Sequence, residues 1–284
     1  MGKPDKLAQL EAGAKKAADG ADPEDDVEMT FFEHLGELRN RLVKALMGVI
    51  PGIAIAWLLK EEIFAFLKRP LDIACARDPN CGEIVLGVPN PTDPVVGYML
   101  IAAIVGLIIS SPWVFWQFWM FIAPGLYRSE RRLAIPFVLV STLFFAGGAF
   151  FGYYLVLPPA FEIFMSFLSE DIVANFFLLD YLELSTRLLL AFGVVFEVPV
   201  IISFLSFAGI VNWKQLLGFF RWWVVISAVI SAILTPPDVG SQMMMLVPLL
   251  LLYILSIGLA YLFGPKVTEP VAEVAGDAED EDDE

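Results

Sequence analysis

The stretch PVVGYMLIAAIVGLIISSPWVFWQFWMFIAPGLY, residues 94–127, holds 34 residues without a charged side chain, between Asp93 and Arg128. A helix needs about 20 apolar residues to cross the hydrocarbon core of a bilayer. This stretch is therefore long enough to span a membrane, and it predicts an integral membrane protein.

Five more runs of low charge lie along the chain. The shortest two hold 15 and 16 uncharged residues, and they can still span because a terminal lysine or arginine snorkels and the bilayer thins locally. We therefore expect an all-α integral membrane protein with six transmembrane helices, near residues 39–60, 95–121, 134–157, 185–207, 217–235 and 241–263.

Composition excludes several classes of protein. The 284 residues are 58% hydrophobic and 18% charged, with a mean hydropathy of +0.71, whereas soluble domains are about 45–50% apolar. Metal sites usually need several Cys or His ligands, and the chain offers only Cys75, Cys81 and His34. It also lacks a glycine-rich phosphate-binding loop. We therefore expect that the protein is not an enzyme, that it binds no metal or cofactor, and that it has no nucleic-acid partner.

The net charge of −15 is concentrated in the two tails. Residues 1–30 carry eight acids and four lysines, and residues 269–284 carry nine acids and no base. The sequence predicts a disordered tail over 1–30, a six-helix domain over 31–263 and an acidic disordered tail over 264–284. The charge is thus poor evidence for a docking surface that binds cations.

Basic residues near the membrane predict the orientation. An even number of spans puts both termini on one side, and that side carries nine basic residues against five on the other. By the positive-inside tendency, we expect cytoplasmic termini. The nine are Arg39, Arg41, Lys44, Arg128, Arg131, Arg132, Lys214, Arg221 and Lys266, and the five are Lys60, Lys68, Arg69, Arg77 and Arg187.

Three external loops follow from this orientation. Loop 61–94 contains Cys75 and Cys81, which form a disulfide in an oxidising compartment or remain two unpaired thiols. Loop 158–184 opens with two prolines, and we expect short helical pieces in it. The third loop, 236–240, is so short that the last two spans should form a tight hairpin.

Glu197 is the one acid inside the fourth apolar run, two residues before Pro199. Ionisable groups within a span are costly and are functional candidates, and Pro199 frees a backbone carbonyl beside it. The carboxyl could serve a proton relay, an ion site or a contact to a partner helix. Alternatively, it is a protonated glutamate that is hydrogen-bonded within the bundle.

Other polar residues have both structural and functional interpretations. Asp238 can cap the sixth helix, whereas Thr235 and Gln242 could contact another transmembrane helix or bond within their own hairpin. Glu37 stands four residues before Arg41, which favours an intrahelical pair. Glu130 precedes two arginines that can neutralise it.

The chain resembles the TatC family, the multispanning core of the twin-arginine protein translocase. The resemblance runs in order through four motifs: His34-Leu35-x-Glu37-Leu38-Arg39-x-Arg41-Leu42; Gln117-Phe118-Trp119-Met120-Phe121-Ile122-Ala123-Pro124-Gly125-Leu126-Tyr127 with Glu130-Arg131-Arg132; Phe196-Glu197-Val198-Pro199; and Leu234-Thr235-Pro236-Pro237-Asp238-Val239-x-Ser241-Gln242.

This resemblance implies export of folded proteins across the bacterial cytoplasmic (inner) membrane, driven by the proton-motive force. It implies a curved, glove-like bundle, recognition of twin-arginine signal peptides, and a hetero-oligomer in which several TatC copies work with TatA and TatB.

The resemblance also implies roles for single residues. Glu130 and Phe121 match positions of signal-peptide recognition, with Glu37 and Arg39 nearby, and a carboxylate suits guanidinium groups because arginine binds it bidentately. The other implied roles are a structural one for Pro70, a place on the concave face for Glu197, and a TatA or TatB helix contact for Thr235 and Gln242. Ala232 departs from the family pattern, where a larger methionine is familiar.

Two rival functions remain at the level of sequence. Glu197 and the prolines would suit a proton-coupled secondary transporter of a small solute, although such transporters usually show paired repeats with broken helices, and none is evident. An intramembrane hydrolase is the third alternative, and it lacks a catalytic motif.

Overall fold

The structure, a computed structural model, describes residues 31–77, 84–122, 134–166, 176–235 and 238–264. Both predicted tails lie largely outside these ranges, as do Glu130 and Cys81. Within the described ranges the chain is almost entirely helical, and six helical segments are long and apolar enough to cross a membrane. The predicted number of spans is confirmed.

We number the α-helices in chain order. They are α1 (Phe31–Leu58), α2 (Lys60–Ala76), α3 (Asp93–Ile122), α4 (Ala134–Phe151), α5 (Leu157–Ser166), α6 (Leu178–Phe207), α7 (Trp213–Leu234) and α8 (Val239–Phe263). A π-helical turn, Gly152–Val156, joins α4 to α5, so these three segments form one span. The short α2 is the only one of the eight that is not part of a candidate span.

The predicted helix ends were wrong at two places. The third span does not stop at residue 157 but continues through Pro158 and Pro159 to Ser166, because the π turn shifts the backbone register just before the prolines. The fourth span begins at Leu178 rather than near 185. Its first turns carry an Arg187–Glu183 ion pair, which lets charged residues remain on the helix.

The first half of the loop predicted over 61–94 is the helix α2. Its Pro70 has no N–H, so the carbonyl of Phe66 lacks its usual intrahelical donor. The Tyr153 hydroxyl donates to that carbonyl at 2.6 Å, and the Tyr181 hydroxyl donates to the carbonyl of Leu67. These two bonds fasten α2 to the third and fourth spans.

The main hydrophobic core surrounds α6. Its Leu182 and Phe192 are fully buried against the third span, α2 and α8. Gly148 lets α4 approach α6 closely, because a Cβ atom there would meet the Phe192 carbonyl. Half of the most apolar window of α6 is buried, against 11% for α1, so α6 is the central helix of the bundle.

The chain divides into two compact units between Asn40 and Arg41. In the first unit, the described residues are the opening turns of α1. In the second, α1 packs on α3 through small residues. A Cβ atom at Gly106 would lie 2.6 Å from the backbone of Ile53, and the Trp113 indole nitrogen donates to the Lys44 carbonyl at 2.9 Å.

The last two spans form the predicted hairpin, since α7 ends at Leu234 and α8 begins at Val239. Trp223 stacks on Tyr253 with ring centroids 4.7 Å apart. The Tyr253 hydroxyl donates to the Leu216 carbonyl at 3.0 Å. The two helices are therefore held along most of their length.

Candidate functional site

A buried polar chain crosses three spans around Glu197. The Trp119 indole nitrogen on α3 donates to the Ser141 hydroxyl on α4 at 3.0 Å. Ser141 is in turn the hydrogen-bonding side chain next to the Glu197 carboxyl on α6. The exposed fractions are 2% for Trp119, 0% for Ser141 and 7% for Glu197, so all three groups are almost completely enclosed.

One carboxylate oxygen of this site has no hydrogen-bond partner among the described residues. Among the described residues, Oε1 of Glu197 is buried and has no hydrogen-bond partner. A buried polar atom without a partner costs about 1–3 kcal/mol, so the carboxyl can still gain by accepting one donor. Chemically, the site is an acceptor within the bundle.

Aromatic packing holds the Trp119 indole, which is the donor in this series of polar groups, in place. The Trp119 ring stacks on Phe137 at 5.0 Å and meets the edge of Phe204 at 4.7 Å, measured between ring centroids. Pro199 lies on the same helix as Glu197 and Phe204, and its missing N–H leaves the carbonyl of Val195 without its intrahelical donor. The Ser141 hydroxyl is thus the polar side chain beside Glu197, and the free carbonyl of Val195 belongs to the same helix.

The candidate recognition residues lie at helix ends. Phe121 is half-buried in the last turn of α3. One turn earlier, Gln117 accepts a hydrogen bond from the Arg41 guanidinium of α1 at 3.4 Å. In the first unit, Glu37 is half-buried and Arg39 is exposed on α1. Glu130 lies outside the described residues.

The hairpin residues bond within the hairpin. The Thr235 hydroxyl donates to the Ser231 carbonyl at 2.8 Å, and the Gln242 amide nitrogen donates to the Ala228 carbonyl at 3.2 Å. Asp238 is the N-cap of α8 and accepts from the Ser241 N–H at 2.7 Å. The Gln242 side-chain oxygen accepts no hydrogen bond from the described residues.

The remaining candidates lie in and after α2. Pro70 is fully buried and creates the free carbonyl that Tyr153 caps. Cys75 is buried in the last turn of α2 and is disulfide-bonded, and Cys81 is the only other cysteine of the chain. In the described part of the chain, no group of three His, Cys, Asp or Glu side chains could hold a metal ion.

Sequence reasoning missed the partners of the candidate residues. Ser141 and Thr142 are the polar pair in an otherwise apolar run, and that pair was the available signal. Trp119 and Gln117 stood in a family motif without a role. No local pattern pairs α3 with α4 or α1, because these contacts join residues that are 22 and 76 positions apart.

Comparison with known proteins agrees with the resemblance. The TatC family model, described as Sec-independent protein translocase protein, matches residues 33–248. The chain is 39% identical over 245 residues to the Sec-independent protein translocase protein TatC of Desulforapulum autotrophicum, covering 86% of this chain and 89% of the relative. It is 38% identical to the TatC of Aquifex aeolicus, covering 85% of this chain and 98% of the relative.

Solved structures give the same result. Two crystal structures of the twin-arginine translocase receptor TatC, one of them in DDM, superpose with a TM-score of 0.72 and 37% sequence identity. The matches cover 80% and 81% of this chain and 99% of each solved chain. The relatives are translocase proteins, and they lend no support to the solute-transporter alternative.

Proposed function

The chain belongs to the TatC family of Sec-independent protein translocase proteins, and from that premise we propose that it is the translocase's receptor for twin-arginine signal peptides. It is a multi-pass membrane protein and a core component of the twin-arginine translocase. The proposal concerns which of its residues bind the peptide and which bind TatA and TatB.

The contact between Arg41 and Gln117 carries the proposal. It places this part of α1 beside the carboxyl-terminal turns of α3, one turn before Phe121. Glu37 and Arg39 precede Arg41 in the sequence of α1, and Glu130 follows Phe121 after α3 has ended. The four recognition candidates thus belong to two segments of the sequence, one before Arg41 and one around and after the end of α3.

Charge and shape suit these segments to the peptide. The paired arginines of a signal peptide carry two guanidinium groups, and a carboxylate binds each of them with bidentate, charge-assisted hydrogen bonds. Glu130 and Glu37 supply the carboxylates. Phe121 supplies an aromatic face that can pack against the apolar part of the peptide. The same face can attract a guanidinium group.

The hairpin of α7 and α8 is the proposed contact for TatA or TatB. Its Gln242 side-chain oxygen is available to a donor from another helix, and large apolar side chains are exposed around it. Exposed fractions are 70% for Ile233, 73% for Val239 and 47% for Met243. A partner span would cover these side chains and would complete the hydrogen bonding of Gln242.

Glu197 has a proposed part in translocation. Its unfilled Oε1 lies within the bundle, where it can accept a donor from the peptide or from a partner helix as the complex assembles. The cellular site of this assembly is the bacterial cytoplasmic membrane, and the proton-motive force is the proposed energy source.

Binding of a labelled signal peptide to the purified protein tests the receptor proposal. We expect Glu130→Ala to weaken binding about tenfold or more, since a hydrogen bond to a charged group is worth about 1.5–3 kcal/mol. The matched control is Glu183→Ala, which removes an exposed glutamate paired with Arg187 on α6 and should leave binding unchanged.

A second peptide, in which both arginines are replaced by lysine, completes the test. Wild-type protein should bind it less tightly than the arginine peptide, and Glu130→Ala should reduce that difference. Equal binding of the arginine peptide by wild type and Glu130→Ala, with both proteins eluting as folded species, would show that Glu130 is not a ligand.

A further inference from the structure

A half-polar pocket of about 320 Å³ lies between α2 and the join of α4 and α5. None of its lining residues is used in the receptor proposal. On the α2 side its wall is formed by Pro70, Ile73 and Arg77, and on the other side by Tyr153, Tyr154, Leu155, Pro158 and Pro159. Its polar groups need an explanation, because most of the neighbouring surface is apolar.

Two backbone carbonyls at this pocket lack their intrahelical donors. The carbonyl of Tyr154 would bond to residue 158 in an α-helix or to residue 159 in a π-helix, and both of those residues are prolines without an N–H. The carbonyl of Tyr153 is in the same position, because the Leu157 N–H bonds to Gly152 instead. Free carbonyls in a span call for a donor from outside the helix.

Arg77 places a cationic donor at the same pocket. Its guanidinium is bonded through one nitrogen to Glu162 on α5, and the Arg77 side chain is 63% exposed. The remaining N–H groups of the guanidinium can therefore bind an anion. The pocket thus has an anion-binding side at Arg77 and a cation-binding side at the free carbonyls.

Helix length and charge suit a position of the pocket at the depth of lipid headgroups. Helix α2 starts two residues after α1 ends and carries six charged residues among 17, which keeps it at the membrane surface. The third span is 32 residues long, about 48 Å at 1.5 Å per residue, against a hydrocarbon core of about 30 Å. Its second half therefore reaches the headgroup region.

Apolar side chains continue from the pocket toward the membrane. Phe150, Tyr154 and Leu155 are each 57% exposed, and Ile73 is 44% exposed. Such a surface suits contact with acyl chains, whereas a small water-soluble ligand would leave these apolar side chains uncovered. Water alone could fill the pocket, but it would not explain an anion site and a cation site side by side.

We propose that this pocket binds the headgroup of a phospholipid with a primary amine, with the phosphate on Arg77 and the ammonium on the free carbonyls of Tyr153 and Tyr154. Phosphatidylethanolamine has this chemistry. Its ammonium carries three N–H donors and its phosphate one negative charge, so a single headgroup satisfies both sides of the pocket.

Lipid titration followed by native mass spectrometry tests the proposal on the full wild-type chain. Phosphatidylethanolamine should bind at least about tenfold more tightly than phosphatidylcholine, which has the same phosphate and charge but no N–H donor. Equal binding of the two lipids would overturn the proposal. Soluble phosphoethanolamine should compete only weakly, and competition as strong as that of the lipid would assign the pocket to a water-soluble ligand instead.

Variants locate the bound lipid. Arg77→Gln should weaken phosphatidylethanolamine binding about tenfold. Arg187→Gln removes an arginine with the same kind of exposed glutamate pair and should not change it. Pro158→Ala returns an N–H to the Tyr154 carbonyl and should lower the preference for ethanolamine over choline. If Arg77→Gln and Pro158→Ala both keep wild-type affinity and preference, the lipid is bound elsewhere.

Discussion

Glu197 is a side chain that is enclosed by the bundle and still lacks one hydrogen-bond partner. Its carboxyl is 7% exposed, has the Ser141 hydroxyl beside it, and keeps Oε1 without a partner among the described residues. The isolated acid could be found from the sequence, because a charged residue in an apolar run is conspicuous. Ser141 and Trp119 could not be assigned to it, since helix packing alone brings three distant spans together.

At the residue scale, Ser141→Ala should destabilise the protein by about 1–3 kcal/mol. The variant removes the acceptor of the buried Trp119 indole N–H and the hydroxyl beside Glu197. Equilibrium unfolding in detergent measures the change. Thr142→Ala is the control, because the Thr142 hydroxyl donates to the Val138 carbonyl of its own helix. An equal loss in both variants would contradict the role given to Ser141.

At the scale of elements, proline and glycine decide where helices are tied together. The proline of α2 frees a carbonyl that Tyr153 caps, and glycines bring α1 and α3 into backbone contact. The sequence predicted the six spans from uncharged runs, but it did not predict α2 or the continuation through Pro158. Charged residues in α2 conceal an interfacial helix from a search for apolar runs, and a π turn has no sequence signature that we could use.

A double-mutant cycle tests the tie between α2 and the third span. Tyr153→Phe should cost about 1–3 kcal/mol of unfolding free energy, because the Phe66 carbonyl loses its donor. In a Pro70→Ala background the same change should cost less, since residue 70 then supplies an N–H to that carbonyl. An identical cost in both backgrounds would mean that the hydroxyl does not replace the missing helical bond.

The packing of α1 on α3 leads to a further prediction. Gly106→Ala should destabilise by about 1–3 kcal/mol, because the new Cβ atom meets the backbone of α1 near Ile53 and overpacking has roughly that cost. Thermal unfolding in detergent measures it. Gly147→Ala, at a site with no atom within 4 Å of the new Cβ, should be neutral or slightly stabilising, and similar losses at the two glycines would refute the close contact.

At the scale of the whole molecule, the charged residues of the two tails differ in role from those near the membrane. The net charge of −15 belongs largely to the terminal segments, whereas the functional proposal depends on a few individually placed acids. The fold could be predicted because the spans appear as uncharged runs in the sequence and the family motifs occur in order. The pairing of α1 with α3 at Arg41 and Gln117 could not, because it requires the packed bundle.

Orientation in the membrane is the prediction that belongs to this scale. With both termini cytoplasmic, a reporter enzyme active only outside the cytoplasm should be inactive when fused after Glu284 and active when fused after Thr92, in the turn that precedes α3. Activity at Glu284 together with silence at Thr92 would reverse the topology, and the receptor surface would then face away from newly made cargo.

The central claim is the proposal that Phe121, in the last turn of α3, lies where the signal peptide binds. Site-specific photocrosslinking in membranes, with the probe at Phe121, tests it most directly. A twin-arginine precursor should crosslink from this position, the lysine-substituted precursor should crosslink much less, and a probe at Glu183 on α6 should give no specific product. Equal crosslinking of both precursors from Phe121, or a specific product from Glu183 alone, would contradict the account.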